Sequence, residues 1–194
     1  MMTLKELVLK NRSCRRFWQG ERIVPSLLRD WVDLARNSAS ARNAQPLKYI
    51  LSTDEIFNAK IFGQLAWAGY FPDWDGPEEG ERPSAYVVLL NDTAISKNYF
   101  CDDGIASQTI LLGATEAGFG GCIIHAVNRT RLREILNLPE QFEIIQVIAL
   151  GKPKEMVVLD EAKEGEIKYW RDENQVHHVP KRKLEEIILQ EIVK

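Results

Sequence analysis

Three things are scarce in this 194-residue chain, and each scarcity closes off a class of protein. Cysteine occurs only as Cys14, Cys101 and Cys122, an odd number with no CxxC spacing. Neither a disulfide framework nor a cysteine-built zinc site is expected, and a reducing compartment suits the chain better. Long apolar runs are missing, because nothing approaches the ~20 residues that cross a bilayer. The amphipathic opening, Met1 to Ser13, also lacks the apolar core and small-residue cleavage site of a signal peptide. An excess of positive charge is missing too. Lys and Arg number 25 against 28 Asp and Glu, and the net charge of −3 supplies no basic field for nucleic acid. GxGxxG after a strand, GxxxxGKS/T, HExxH and GxSxG are all absent. The histidines form no ligand set: His177 and His178 are adjacent, so on a strand they point to opposite faces, and His125 stands alone. The expectation is a soluble cytoplasmic protein with no metal site, no nucleic-acid partner and no membrane partner.

What is present is ordinary globular material, 45% apolar and 27% charged, without repeats, and the length suits one domain spanning residues 1–194. Thr3 to Glu6 reads as a capping box opening a helix that ends near Asn11. Pro25 suits the first position of a second helix, with Leu27, Leu28, Trp31, Val32 and Ala35 as its apolar stripe. Further helices are expected from Asp54 through Ala66, from about Gly104 to Ala117, from Thr130 to Leu136 and from Lys183 to Val193. Strands are expected at 48–51, 85–90, 122–127 and 144–150. The last three are nearly continuous in apolar residues, as strands covered on both faces are. Phe71 to Pro83 is turn-rich and acidic and reads as an exposed loop. The segment 160–194 reads as a hairpin, Ile167 to Arg171 and Val176 to Val179 around a turn at Asp172 to Gln175, followed by the closing helix.

Four segments carry chemistry, and each has an alternative. Asn11 to Phe17 brings Arg12, Ser13 and Arg15 together just after a helix; two guanidinium forks and a hydroxyl suit a phosphate dianion. A solvated basic turn at a helix C-terminus has the same composition. Asn37 to Pro46 sets Ser40, Asn43 and Gln45 among small residues, and its amides offer a heterocycle both donors and acceptors. A polar loop ended by proline would look alike. Gly118 to Gly121 permits close backbone approach to a ligand and equally serves as a helix stop. Pro180 to Lys183 is a second basic cluster, or the solvated start of the last helix.

Taken in order, these pieces resemble the nitroreductase family of FMN-dependent flavoproteins. The family's Arg-Arg-Ser-x-Arg-Lys-Phe stands here as Asn11 to Phe17. Its Ala-x-x-Ala-Pro-Ser-x-x-Asn-x-Gln-Pro-Trp stands as Ala35 to Leu47, keeping Ser40, Asn43, Gln45 and Pro46. Its central helix and Gly-x-Gly exit run from Asp103 to Gly120, and its strand ending in Gly-x-Pro runs from Ile148 to Pro153. Asn11, Ser38-Ala39 and Leu47 replace the family's Arg, Ala-Pro and Trp.

The resemblance implies an α+β fold, a three-layer α/β/α arrangement with a central, mostly antiparallel sheet flanked by helices. It implies a homodimer with FMN at the interface. Arg12, Ser13 and Arg15 would hold the phosphate and ribityl chain, with Lys181 or Arg182 completing the phosphate site. Ser40, Asn43 and Gln45 would meet the isoalloxazine, and Gly120 and Gly121 would lie near its ring. The implied activity takes hydride from NADH or NADPH to an electron-poor acceptor (nitroaromatic, quinone or flavin) by a ping-pong cycle. The cofactor carries that chemistry, so no catalytic side chain is assigned. Specialised relatives that dehalogenate, oxidise azolines, fragment flavin, or store or sense it are the alternative. Trp67 to Phe71 would roof the substrate face or simply pack. Cys14 and Cys101 are expected to be packing residues.

Overall fold

In the computed structural model, which describes residues 2–193, fourteen labelled elements build two sheets and the helices around them. They are α1 (Leu4–Lys10), β1 (Phe17–Trp18), α2 (Pro25–Arg36), β2 (Leu47–Ser52), α3 (Glu55–Phe62), β3 (Ala85–Asp92) and α4 (Asp102–Glu116). After these come β4 (Gly120–Ile124), α5 (Arg129–Leu136), β5 (Phe142–Pro153), β6 (Val157–Glu161), β7 (Trp170–Arg171), β8 (His177–Lys181) and α6 (Leu184–Ile187).

The central sheet is antiparallel throughout, in the order β1-β5-β3-β2, with β4 also paired to β5. Residues of β3 alternate between two cores. Ala85 and Val87 join Leu28, Trp31, Ile110 and Ala114 of α2 and α4 on one face. Tyr86, Val88 and Leu90 join Ile61 of α3 and Leu132 of α5 on the other. Every residue of β3 is buried. That is why its sequence is apolar without alternation although its neighbours run antiparallel: two-sided burial, not strand direction, fixes the composition. The expected α+β class and three-layer arrangement are what the chain forms.

Helix starts follow their side chains. Thr3 and Glu6 form the reciprocal capping box of α1, and Asp54 caps α3 by accepting from the Phe57 N–H at 2.7 Å. The α3 helix stops at Phe62, short of the expected Ala66, because Gly63 ends it and Leu65 forms a bridge with Val127. The strand expected at 122–127 is β4, which begins two residues earlier and ends at Ile124.

The Phe71 to Pro83 segment is irregular, as expected, but it folds back on the body. Pro77 and Pro83 are buried, and Glu81 pairs with Arg16 and Lys154. Cys101, expected to pack, is exposed, whereas Cys14 is buried.

The second sheet has the order β6-β8-β7, with β6 and β8 parallel and β7 and β8 antiparallel. The hairpin turn at Asp172 to Gln175 is closed by the Asp172 carboxylate, which accepts from the N–H groups of Asn174 and Val176 at 2.9 and 2.8 Å. Residues 167–169 are not strand, and β6, unforeseen in the sequence, supplies the third member. The closing helix expected over Lys183 to Val193 is the single turn α6. Its apolar residues Leu184 and Ile187, and Leu189, Ile192 and Val193 beyond it, are exposed, so no packed face propagates the helix. Among the described residues, no helix is long and apolar enough to cross a membrane.

Candidate functional site

The loop after α1 is held from three sides. The Cys14 N–H donates to the Gly121 carbonyl at 2.9 Å, and Ser13 forms a parallel bridge with Gly121. The Arg15 N–H donates to the Glu155 carboxylate, and the Lys154 N–H donates to the Arg16 carbonyl at 2.9 Å. These contacts sort the cations. Arg16 is engaged by Glu81 through Nε and Nη2 at 2.5 and 2.7 Å, which holds the Glu81 carboxyl down at about 2. Arg12 and Arg15 have no carboxylate partner among the described residues. Arg12 is half-buried, one of its Nη groups donates to the Val8 carbonyl at 2.5 Å, and its buried Nε has no partner. Burial lowers its guanidinium below the ordinary value. Two partly desolvated cations without counter-ions are what a phosphate requires of its protein.

Arg15 lines a groove of about 190 Å³ whose other walls are Trp67 to Gly69, Cys122 to Ala126 and Tyr169. The Arg15 guanidinium lies 5.0 Å from the Tyr169 ring centre. Tyr169 in turn packs against Tyr70 and Phe71 at ring separations of 4.8 and 5.2 Å. The aromatic segment Trp67 to Phe71 therefore forms a groove wall and packs at the same time. Glu155 underlies the wall: its side chain is 1% exposed and meets Arg171 Nη2 at 3.1 Å. Arg171 stacks over Phe71 and Trp74 at 5.0 and 4.6 Å.

Gly120 and Gly121 are where the chain approaches itself. A Cβ on Gly120 would meet Pro153 at 2.9 Å, and one on Gly121 would run into the Ala149 carbonyl and the side chains of Leu111 and Leu150. Their lack of side chains lets β4 lie against β5 with the 12–15 loop on top; they reach the groove only through their neighbour Cys122.

The 38–45 loop is a second, separate unit. Ser40 donates its hydroxyl to Asp102 at 2.6 Å, the Ala41 N–H donates to the same carboxylate at 2.9 Å, and the Gln45 N–H donates to Ser40 Oγ at 2.9 Å. The Gln45 amide donates to Asn43 Oδ1 at 3.1 Å. Arg42, Asn43 and Gln45 all have positive φ, at 55, 54 and 51°, a strain these bonds sustain. Beside the loop is a cavity of about 310 Å³ lined by Ser40, Gln45, Tyr49 and Asp102 among others. Burial, with Asp102 nearby, raises the Tyr49 phenol to about 12.

The structure does not bring all the expected residues together within one chain. Leu47, just after the 38–45 loop, is level with Asn91 and Glu143, whereas Gly121 is level with Leu150. Seven residues of β5 separate those levels, roughly 20 Å. The groove and the loop cavity share no lining residue. Lys181 ends β8, and neighbouring Arg182 and Lys183 face Glu186 and Glu161 at 3.6 and 3.0 Å. Asp102, Glu155 and Tyr169 escaped sequence reading. Asp102 had a signal, an acid at the start of the long helix; Glu155 and Tyr169 had none.

A model described as the nitroreductase family matches residues 83–152, the stretch from β3 through β5 that supports both units. A protein of Archaeoglobus fulgidus with the provisional name NADH dehydrogenase/NAD(P)H nitroreductase is 28% identical over 124 residues. That match covers 60% of this chain and 66% of the relative, just under two thirds of its length. Among solved structures, a nitroreductase family protein from Clostridium difficile 630 aligns with TM-score 0.67 at 20% identity, covering 99% of this chain and all of that one. An FMN-dependent nitroreductase from Clostridium difficile R20291 aligns with TM-score 0.63 at 20% identity, over 81% of this chain and 88% of that one. At such identities the two structures establish likeness of fold.

Proposed function

We propose that this chain is a member of the nitroreductase family and an FMN-dependent oxidoreductase drawing hydride from NADH or NADPH, a reading that the family-model match over residues 83–152 and the Archaeoglobus fulgidus relative support. The observation that carries the reading is that two guanidinium groups of one short loop have no carboxylate partner among the described residues: Arg12, whose buried Nε is unpartnered, and Arg15, which lines an aromatic-walled groove. When bound, the flavin supplies the hydride chemistry, in two half-reactions that end on a nitroaromatic, a quinone or another flavin. Arg12, Ser13 and Arg15 hold its phosphate and ribityl chain, with Lys181 or Arg182 adding positive charge. Cys122 to Ala126 and Tyr169 line the ring's place, and Gly120 and Gly121 set the backbone that carries them.

The groove's 190 Å³ falls below the roughly 300–1,000 Å³ of a complete small-molecule site. Ser40, Asn43 and Gln45 lie at the other end of the sheet. Both facts favour a homodimer in which the 38–45 loop of one protomer closes the groove of its partner. The exposed apolar run after α6 is further surface that a second copy can cover.

Flavin affinity, followed by the quenching of FMN fluorescence, tests the assignment. Arg12→Ala and Arg15→Ala should each weaken binding by about 10- to 100-fold, the loss of a charge-assisted hydrogen bond. Wild-type affinity in both would contradict it.

A further inference from the structure

A quinone becomes a hydroquinone by taking a hydride, two electrons with one hydrogen, on one carbonyl oxygen and a proton on the other. The flavin, reloaded by NADH or NADPH, accounts for the hydride. The proton comes either from water or from a side chain in the groove.

Four groove-lining residues carry a titratable side chain: Arg15, Cys122, His125 and Tyr169. An arginine keeps its proton at any working pH. Cys122 is 4% exposed, and burial pushes its thiol up. Tyr169 turns its hydroxyl to the Tyr70 N–H, from which it accepts at 3.2 Å. His125 differs from all three. It lies just past the end of β4, it is exposed, and its ring has no hydrogen-bond or ion-pair partner among the described residues. Its backbone is held instead. The His125 carbonyl accepts from the Val127 N–H at 3.0 Å and from Arg129 Nη2 at 3.2 Å. The next carbonyl, of Ala126, accepts from the Ala66 N–H at 2.9 Å, beside Trp67. The chain is pinned at the groove and the imidazole is left free. Arg129, Arg15, Cys122 and Tyr169 are the charged and titratable groups around it, and no carboxylate lines the groove to take its N–H. Of the side-chain types present there, imidazole alone both holds and releases a proton near neutral pH.

We propose that His125, as the imidazolium, is the general acid that protonates the acceptor's oxygen in the second half-reaction. With a quinone, the ring N–H donates to one carbonyl oxygen. As hydride adds to the other oxygen, the N–H bond breaks and its proton forms the second hydroxyl. The quinone ring becomes aromatic, and the neutral imidazole then takes a proton from water. The inference rests on the flavin reading and adds to it a side chain that acts on the acceptor.

Stopped-flow mixing of the flavin-loaded, NADH-reduced protein with p-benzoquinone, and separately with ferricyanide, provides the test. Ferricyanide takes electrons singly and needs no proton, so its rate corrects for any change in the flavin's seat. In the wild type the quinone rate should fall as pH rises through the imidazole range, while the ferricyanide rate stays flat. His125→Gln should lower the ratio of quinone to ferricyanide rates about 100-fold below neutral pH, the lower end of general-acid catalysis, and remove that pH dependence. Imidazole added to His125→Ala should restore part of the ratio. Independently of turnover, hydroquinone added to the oxidised protein should shift the His125 ring resonances saturably. A wild-type ratio and pH profile in His125→Gln, or ring resonances that ignore hydroquinone, would overturn the proposal and assign the proton to water. A protein that holds no reducible flavin would overturn the flavin reading, and this proposal with it, before either mixing.

Discussion

Asp102 is 3% exposed and accepts from both the Ser40 hydroxyl and the Ala41 N–H, holding three left-handed residues in place. Asp102→Ala leaves those donors unpaired, at about 1–3 kcal/mol. For a chain of this size each kcal/mol lowers the melting temperature by roughly 2–4 °C, which calorimetry reads directly. His177 is a different case. It is fully buried between Phe71 and Tyr169, with neither ring nitrogen partnered. Burial pulls its imidazole down to about 4, helped by Arg15 and Arg171 and opposed by Glu155. The unfolded chain therefore takes up a proton that the folded chain refuses between about 6.5 and 4. Its contribution to stability is complete above that window and is lost as pH falls through it. Urea midpoints measured from pH 7 to pH 4 should fall, and His177→Phe should flatten that part of the profile. An unchanged slope would place the pH dependence elsewhere.

Among the elements, β4 shows how much rests on a missing side chain. A Cβ at Gly121 meets the backbone carbonyl of Ala149, which has no rotamer to escape into. Gly121→Ala should cost about 1–3 kcal/mol by overpacking and also loosen the Cys14 contact that seats the 12–15 loop, so thermal stability and flavin affinity should fall together. Gly69→Ala, with nothing within 4 Å of its Cβ, is the control for stability.

The elements were also the scale at which the sequence was most informative. Caps at Thr3 and Asp54, Pro25 opening α2 and the apolar run of β3 are local, and each appears in the fold as its chemistry dictates. Where the outcome depended on distant packing, the reading failed. The helix expected over Lys183 to Val193 had suitable residues but no surface to bury them on. The strand β6 exists because β8 lies beside it, a pairing no local pattern announces. The candidate site divides similarly. The motif residues lay in readable order, but Glu155, which fixes the Arg15 backbone from 140 residues away, carries no local mark.

At the scale of the whole molecule, one chain keeps the groove and the 38–45 loop about 20 Å apart, and the proposed homodimer makes them halves of one site. A dimer in sedimentation experiments is expected, with flavin release accompanying dissociation. Mixing two defective proteins is more discriminating. Arg15→Ala damages only the groove and Asp102→Ala only the loop, so a mixed dimer contains one site with both halves intact. Co-refolding the two variants should restore tight flavin binding to part of the sites; no recovery would mean that both halves act within one chain. The central claim is flavin-dependent hydride transfer, and the most direct measurement is the visible absorbance spectrum of the purified protein, followed by anaerobic additions of NADH and then NADPH. The account predicts oxidised-flavin bands that bleach with at least one nucleotide and return when a quinone is added. A colourless protein that also fails to take up FMN would contradict it, as would a bound flavin that neither nucleotide reduces.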